Sequence, residues 1–143
     1  MIHPTADVHS EGIPASTRVW QFTVIGMHAK IGENCNICSH CFIESGVTIG
    51  NNVTIKNGCM LYDGVTIHDN VFIGPGTVFT NDKYPLSGNK DFKKYDIVIE
   101  RNASIGARTV ILPGVTIGCG AIIGAGSIIT KNVPASTIVK GIF

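Results

Sequence analysis

The sequence predicts an all-β solenoid, a chain wound into stacked triangular coils with parallel sheets along its sides. The first observation is a strict beat of six. Val19, Ile25, Ile31, Ile37, Ile43, Ile49, Ile55, Leu61, Ile67, Ile73 and Phe79 keep it, and it resumes at Ile99, Ile105, Ile111, Ile117, Ile123 and Ile129. The second is a companion position four residues on, which is small or β-branched from Thr23, Ala29, Cys35 and Cys41 through to Ala121, Ser127 and Val133. The third is glycine directly after the aliphatic residue, at 26, 32, 50, 74, 106, 118 and 124. Short fixed periods of this kind mark repeat architectures.

A beat of six matches neither the period of a helix nor that of a flat strand. It suits a chain that runs straight, turns a corner and repeats. Three such sides close a coil of eighteen residues, with coils about 4.8 Å apart. In each element the large aliphatic residue is expected to fill the interior and the small one to sit by the corner. Corner glycines are expected to supply positive φ, with Asn51, Asn52, Asn57 and Asn70 next best. From Val19 to Phe79 the elements follow without interruption. The beat then fails, because twenty residues separate Phe79 from Ile99 where six are expected. The intervening stretch is polar and charged, and predicts one loop projecting from a corner at about residues 80–98. Long loops on rigid scaffolds commonly carry function. The elements resume at Ile99 and run to Ile129.

The 143 residues are read as one domain, 1–143. The positive mean hydropathy reflects the Ile-rich interior, since polar corners interrupt every apolar stretch well short of the length of a membrane span. A net charge of +1 argues against nucleic acid as a partner and leaves small anions open. The start, MIHPTADVHS, lacks a basic region followed by an apolar stretch, so no secretory signal is read there. With an odd number of cysteines, five, this points to a reducing cytoplasm. Cys35, Cys38 and Cys41 are spaced as metal ligands often are. The repeat frame argues otherwise: Cys35, Cys41 and Cys59 take the small inward position that Val, Thr or Ala fills elsewhere, and Cys38 falls on the outer side of the wall. Packing is the expected role, and no metal is expected.

Coils of eighteen let positions be stacked. Gly26, Glu44, Tyr62 and Thr80 share one corner line. Met27, Ser45, Asp63 and Asn81 form the next, and His28, Gly46, Gly64 and Asp82 the third. Polar residues thus gather along one edge that ends at the loop. Gly46 and Gly64 are expected to leave room there for a ligand, on walls rigid enough to hold groups in place.

The frame over residues 19–133 resembles the hexapeptide-repeat acyltransferases, whose fold is a left-handed parallel β-helix. The left hand is taken from that resemblance, because ordinary crossovers are right-handed. Three stretches are similar to one branch of the family: HCFIESGVTIGNNVTIKNG, LYDGVTIHDNVFIGPGTVFTNDKYP and ASIGARTVILPGVTIGCGAIIGAGSIITKNVP. That branch N-acetylates the 3-amino group of dTDP- or UDP-linked amino sugars for bacterial surface polysaccharides, lipopolysaccharide among them. The resemblance implies acetyl-CoA as co-substrate, a nucleotide-linked amino sugar as acceptor, and a homotrimer in which the loop reaches a neighbouring subunit. The F-T-N-D motif is Phe79-Thr80-Asn81-Asp82 here, and it implies that Asn81 and Asp82 sit beside the acceptor amine.

The amine must lose a proton, and the thioester oxygen must be stabilised as charge develops. Asp82 is expected to accept or orient the amine proton and Asn81 to hold the nucleophile or the carbonyl. In the family the departing thiolate can take up the proton, and backbone N–H groups at Gly-rich corners are the expected oxyanion donors. Coenzyme A is expected against the C-terminal coils, where Gly106-Ala107 and Gly124-Ala125 lie one coil apart, with Lys131 and Lys140 for its phosphates. The sugar nucleotide is expected nearer the N-terminal and middle coils, with Glu44, Tyr62, Asp63, His28 and Lys83 as candidates and Arg18, Lys56 and His68 beside them. His28 lies three coils from Asp82, about 14 Å along the axis, too far for direct action within one subunit. Family chains run through a G-x-P-A turn into a short C-terminal helix, whereas this sequence reads Val139-Lys140-Gly141-Ile142-Phe143.

Three rival readings were weighed. A γ-type carbonic anhydrase shares the fold but needs converging histidine ligands. His3, His9, His28, His40 and His68 offer no pair around the loop. A sugar O-acetyltransferase needs a general base for a neutral hydroxyl, usually a loop histidine, which this loop lacks. A non-catalytic scaffold gives no reason for the loop.

Overall fold

The computed structural model describes residues 1–143, and it is the all-β, left-handed parallel β-helix expected from the sequence, with no helix of any kind. Nearly every repeat contributes a two-residue strand, because one outward and one inward residue are all that a side of the triangle holds before the next corner. Val24–Ile25 is typical, with Val24 half-buried and Ile25 fully buried. The strands stack into three parallel sheets. Sheet I collects the strands ending at Val19, Ile37, Ile55, Ile73, Ile105, Ile123 and Val139. Sheet II collects those ending at Val8, Ile25, Ile43, Leu61, Phe79, Ile111 and Ile129. Sheet III collects those ending at Ile31, Ile49, Ile67, Ile99 and Ile117. Each residue pairs with its equivalent one coil on, as Ile25 does with Ile43. Across the loop Ile67 pairs with Ile99, so the insertion leaves the stack in register.

The aliphatic residues of the beat form one column through the prism, nearly all of them fully buried. Each such side chain contributes about 1.5–3 kcal/mol of transfer free energy. The small companions are buried with them and leave space for the column. Where the companion carries a hydroxyl, the hydroxyl is satisfied. Thr23 donates to Cys38 O at 2.8 Å, Thr77 to Gly74 O at 2.8 Å, Thr109 to Gly106 O at 2.8 Å and Ser127 to Gly124 O at 2.6 Å. No buried side-chain polar atom lacks a partner.

Two expectations about the corners are corrected. The glycines directly after the aliphatic residue do not supply positive φ. They are needed for close approach: a Cβ on Gly106 would lie 2.5 Å from Ala125 N, and one on Gly74 would lie 2.6 Å from Ala107 N. Positive φ falls two residues later, on the third residue after the aliphatic one. Asn52 and Asn70 occupy that position, whereas Asn51 and Asn57 do not. An L-residue there costs roughly 1–2 kcal/mol unless it is Gly, or Asn with its local hydrogen bonds. On the edge between sheets III and I the position is filled by Asn34, Asn52, Asn70, Asn102, Gly120 and Ser136. On the edge between sheets I and II it is filled by Phe22, His40, Gly58, Gly76, Arg108 and Gly126.

The loop is shorter than its expected bounds of 80–98. Ile97–Ile99 is already a strand of sheet III. Asp82 pairs with Lys94 in an antiparallel bridge, and Tyr95 N donates to Asn81 O at 3.0 Å. Only residues 83–93 project from this pinned base, and Tyr84, Leu86 and Phe92 are exposed on them.

Cys35, Cys41 and Cys59 lie in the hydrophobic core as the frame requires. Cys38 lies outside that core but is buried beneath the surface, within reach of the Asn36 amide. Burial pushes the thiols of Cys35 and Cys38 up from their ordinary value, and contact with the Cys59 thiol together with burial does the same for Cys41. These three groups stay protonated at neutral pH.

The two glycine roles are separable by substitution. Gly106→Ala is expected to lower stability by about 1–3 kcal/mol, the cost of overpacking. Gly58→Asn, placed where nothing lies within 4 Å of a Cβ, is expected to cost under about 1 kcal/mol. Chemical denaturation of both variants measures the difference.

Candidate functional site

Sheet II separates two concave regions, one on each of its edges. On the edge shared with sheet III, Tyr62, Thr80, Asn81, Asp82 and Pro85 line a cleft of ≈ 260 Å³. Coil stacking brings these residues together, and the loop base completes the cleft. Asn81 Nδ2 donates to Asp63 O at 3.0 Å, which fixes the side chain and leaves its carbonyl oxygen as an acceptor. Asp82 Oδ1 accepts from Tyr84 N at 3.1 Å, so the turn into the loop orients the carboxylate. Tyr62 packs against Phe42, ring centroids 5.9 Å apart. Thr80 donates to Ile111 O at 2.8 Å.

Other residues expected here have different surroundings. Glu44 accepts from Asp63 N at 2.7 Å and so caps a corner amide. Asp63 faces the Lys94 ammonium at 3.4 Å. The room expected beside Gly46 and Gly64 is taken: the Asp63 carboxylate lies over Gly46, and Asp96 and Lys94 lie over Gly64. Lys83 sits at the loop base against the Tyr84 and Tyr95 rings, 5.6 and 5.7 Å from their centroids. His28 lines a separate cleft with Glu11, Met27, Ala29 and Lys30. His68 lies on the edge between sheets III and I with Glu100, Arg101 and Cys119.

On the edge between sheets I and II lies a groove of ≈ 860 Å³, lined among others by Asn57, Gly76, Ala107, Arg108, Ala125 and Gly126. Gly106 and Gly124 stack one coil apart beneath it, as expected, and Gly124 abuts Lys140. On the other two edges, four of the amides two residues after the aliphatic residue are capped by side chains. Glu33 N donates to Asn51 Oδ1, Asn51 N to Asp69 Oδ1, Asp63 N to Glu44 Oε2 and Cys119 N to Glu100 Oε2. On this edge the equivalent amides of Ala107 and Ala125 have no acceptor in the chain. Arg108 has no carboxylate within ion-pair distance. It holds a positive φ of 54° against Gly76.

Lys131 departs from expectation. It follows sheet II rather than sheet I, so it stands on the other edge from Gly106 and Gly124, with its ammonium over the Phe143 ring at 4.8 Å. Arg108, Gly58 and Gly76 are groove residues that the motif search passed over. Their signal was present in the corner line eighteen residues apart, but it shows only once positive φ is assigned to the third residue.

The profile of the bacterial transferase hexapeptide (six repeats) matches residues 46–81 and 96–131, and the hexapeptide repeat of succinyl-transferase matches residues 28–63. Over 140 residues the chain is 48% identical to a dTDP-3-amino-3,6-dideoxy-α-D-galactopyranose 3-N-acetyltransferase of Aneurinibacillus thermoaerophilus, covering 98% of this chain and 73% of that one. A variant of an N-acyltransferase from Bacillus cereus, solved with dTDP and coenzyme A, superposes with a TM-score of 0.74 at 24% identity, covering 99% of this chain and 75% of that one. A variant of perosamine N-acetyltransferase from Caulobacter crescentus, solved with coenzyme A and GDP-perosamine, gives a TM-score of 0.72 at 21% identity, and this chain spans 52% of it. The fold, its repeat and this degree of identity define a hexapeptide-repeat transferase. The chain belongs to the bacterial hexapeptide-repeat family.

The role of Glu44 is open to a direct test. Glu44→Ala is expected to cost about 1–3 kcal/mol by orphaning Asp63 N, with Glu44→Gln keeping most of the stability. Thermal melting of the two variants without ligand checks this, because a residue that serves substrate alone moves neither curve.

Proposed function

We propose that the chain transfers an acetyl group from acetyl-CoA to the 3-amino group of a nucleotide-linked sugar, either dTDP- or UDP-linked. The observation that carries this reading is the groove itself: Ala107 and Ala125 keep their corner amides free beside small residues, whereas four equivalent amides on the other two edges are capped. Free amides beside small residues suit the amide-bearing arm of coenzyme A and the thioester oxygen. Arg108 and Lys140 supply cations for its phosphates, and Lys131 is dropped from that role. The near-complete overlap with a named 3-N-acetyltransferase supports the choice of acceptor.

In this reading the neutral sugar amine attacks the thioester carbon. Negative charge gathers on the carbonyl oxygen, where preorganised N–H groups lower the barrier. Collapse breaks the carbon–sulfur bond, and the coenzyme thiolate leaves and takes up the amine proton. Asp82, held by Tyr84 N, orients or accepts an amine hydrogen, and the Asn81 carbonyl accepts another. The absence of histidine from the loop favours an amine over a hydroxyl acceptor, since a neutral hydroxyl needs a stronger base.

The site is completed by a second copy. The cleft and the groove stand on opposite edges of sheet II, about 15–20 Å apart at ~3.3 Å per residue. The outward residues between them are Val24, Phe42, Met60, Val78, Val110 and Ile128, an apolar ladder spanning six coils. Sheet III presents Lys30, Thr48, Thr66, Val98 and Thr116 instead. In a cyclic homotrimer with sheet II facing the axis, the groove edge of one copy adjoins the loop edge of the next, and three equivalent sites form. A cytoplasmic enzyme of surface-polysaccharide synthesis fits this reading, and no helix of the chain is long and apolar enough to cross a membrane.

The function is tested by thiol release from acetyl-CoA against a panel of dTDP- and UDP-linked 3-amino and 4-amino sugars. Turnover with a 3-amino sugar is expected, and Asn81→Ala and Asp82→Ala should each lower it by about 10²–10⁴-fold with the fold intact. Wild-type turnover in both variants places the chemistry elsewhere. The assembly is tested by light scattering: wild type is expected at three times the chain mass, and Val110→Glu as an inactive monomer. A wild-type monomer at micromolar concentration overturns it.

A further inference from the structure

Two edges of the same prism solve the same backbone problem differently. Both need positive φ at the third residue after the aliphatic one. The edge between sheets III and I uses Asn four times, the cheapest non-glycine answer. The edge between sheets I and II uses no Asn. Its glycines line the groove, and its other residues are Phe22, His40 and Arg108. Phe22 is a bulky residue at φ 58° and is 57% exposed in the single chain, so nothing within its own chain offsets the strain by burial. His40, at φ 60° one coil on, is also exposed, and its ring lies 5.2 Å from the Phe22 ring with the two planes tilted by 48°. His40 stacks directly before Gly58, the residue at which the groove begins. The aromatic pair therefore continues the corner line of the groove toward the N-terminal coils.

We propose that Phe22 and His40 form the platform on which the nucleobase of the sugar nucleotide stacks. This rests on the sugar-nucleotide reading above. A base on the pair places its diphosphate along Gly58 and Gly76, where missing side chains let the ligand approach the backbone. From His40 to the Gly76 coil is about 10 Å at ~4.8 Å per coil, a span suited to a ribosyl diphosphate. The sugar then arrives at the level of Asn81 and Asp82, which belong to the same coil as Gly76. Arg108 lies one coil beyond, at the end of the groove assigned to coenzyme A. Flat π-faces accept any base, so the platform binds without choosing among thymine, uracil and guanine.

The test is a Phe22→Asn/His40→Asn double variant, which installs the residue that the neighbouring edge uses at the same φ. Its melting midpoint is expected to equal or exceed that of the wild type, because the strain falls and little burial is lost. Its affinity for dTDP, measured by calorimetry, is expected to fall by about 10- to 100-fold, the scale of one lost base–aromatic stack. Its affinity for acetyl-CoA should stay within about twofold of wild type. Equal dTDP binding by variant and wild type overturns the platform alone. Loss of acetyl-CoA binding with dTDP binding kept also overturns it, by assigning the pair to the coenzyme. A lowered melting midpoint with unchanged dTDP binding assigns the pair to packing. Wild-type protein that binds acetyl-CoA but neither dTDP, UDP nor GDP at millimolar concentration overturns the sugar-nucleotide reading and the platform with it.

Discussion

Backbone hydrogen bonding between equivalent residues on successive coils is the constraint on which the structure depends. Gly26 N to Ile43 O, Gly106 N to Ile123 O and their counterparts hold each coil directly over the last. Such stacking works only if every side chain repeats its direction at intervals of eighteen. The aliphatic column follows, because an inward position on one coil is inward on all. So do the glycines at corners where the next backbone nitrogen lies 2.5 Å from where a Cβ would stand, as at Gly26, Gly106 and Gly118. The loop is tolerated because it leaves and re-enters at one corner. The bridge of Asp82 with Lys94 closes its base, and the pairing of Ile67 with Ile99 restores the stack behind it.

Once stacking is satisfied, the three edges are free to differ, and function is read from the difference. Four corner amides that the coil cannot pair are capped by carboxylates or amides on two edges. The third leaves those of Ala107 and Ala125 open beside small residues. The same edge replaces Asn by aromatic rings, glycine and arginine at its positive-φ positions.

The cysteines show how the frame restrains chemistry. A spacing common among metal ligands becomes two unlike environments once wound into coils. Cys35 and Cys41 point into the core, where their thiols donate to Gly50 O and Lys56 O, and Cys38 is covered from outside by Asn36. Burial, and for Cys41 first its contact with the Cys59 thiol, keeps these thiols protonated, which is the form least suited to nucleophilic attack or metal ligation.

The sequence by itself determined the coil, the core and the place of the loop, because a period of six with an inward aliphatic residue has one compact solution. It also placed Asn81 and Asp82 together with Tyr62, since residues eighteen apart on one corner must be neighbours. Tertiary structure decided what the beat does not encode. Which corner residue takes positive φ depends on how the backbone turns, and this moved attention from Gly106 to Arg108, Phe22 and His40. Whether a glycine leaves space depends on neighbouring side chains, and Asp63, Lys94 and Asp96 fill the room beside Gly46 and Gly64. Lys131 and Lys140 look alike in the chain, yet they stand on different edges because they follow different sheets. Only the three-dimensional course of the corners showed that groove and cleft lie on opposite edges of sheet II, and the proposed assembly rests on that separation.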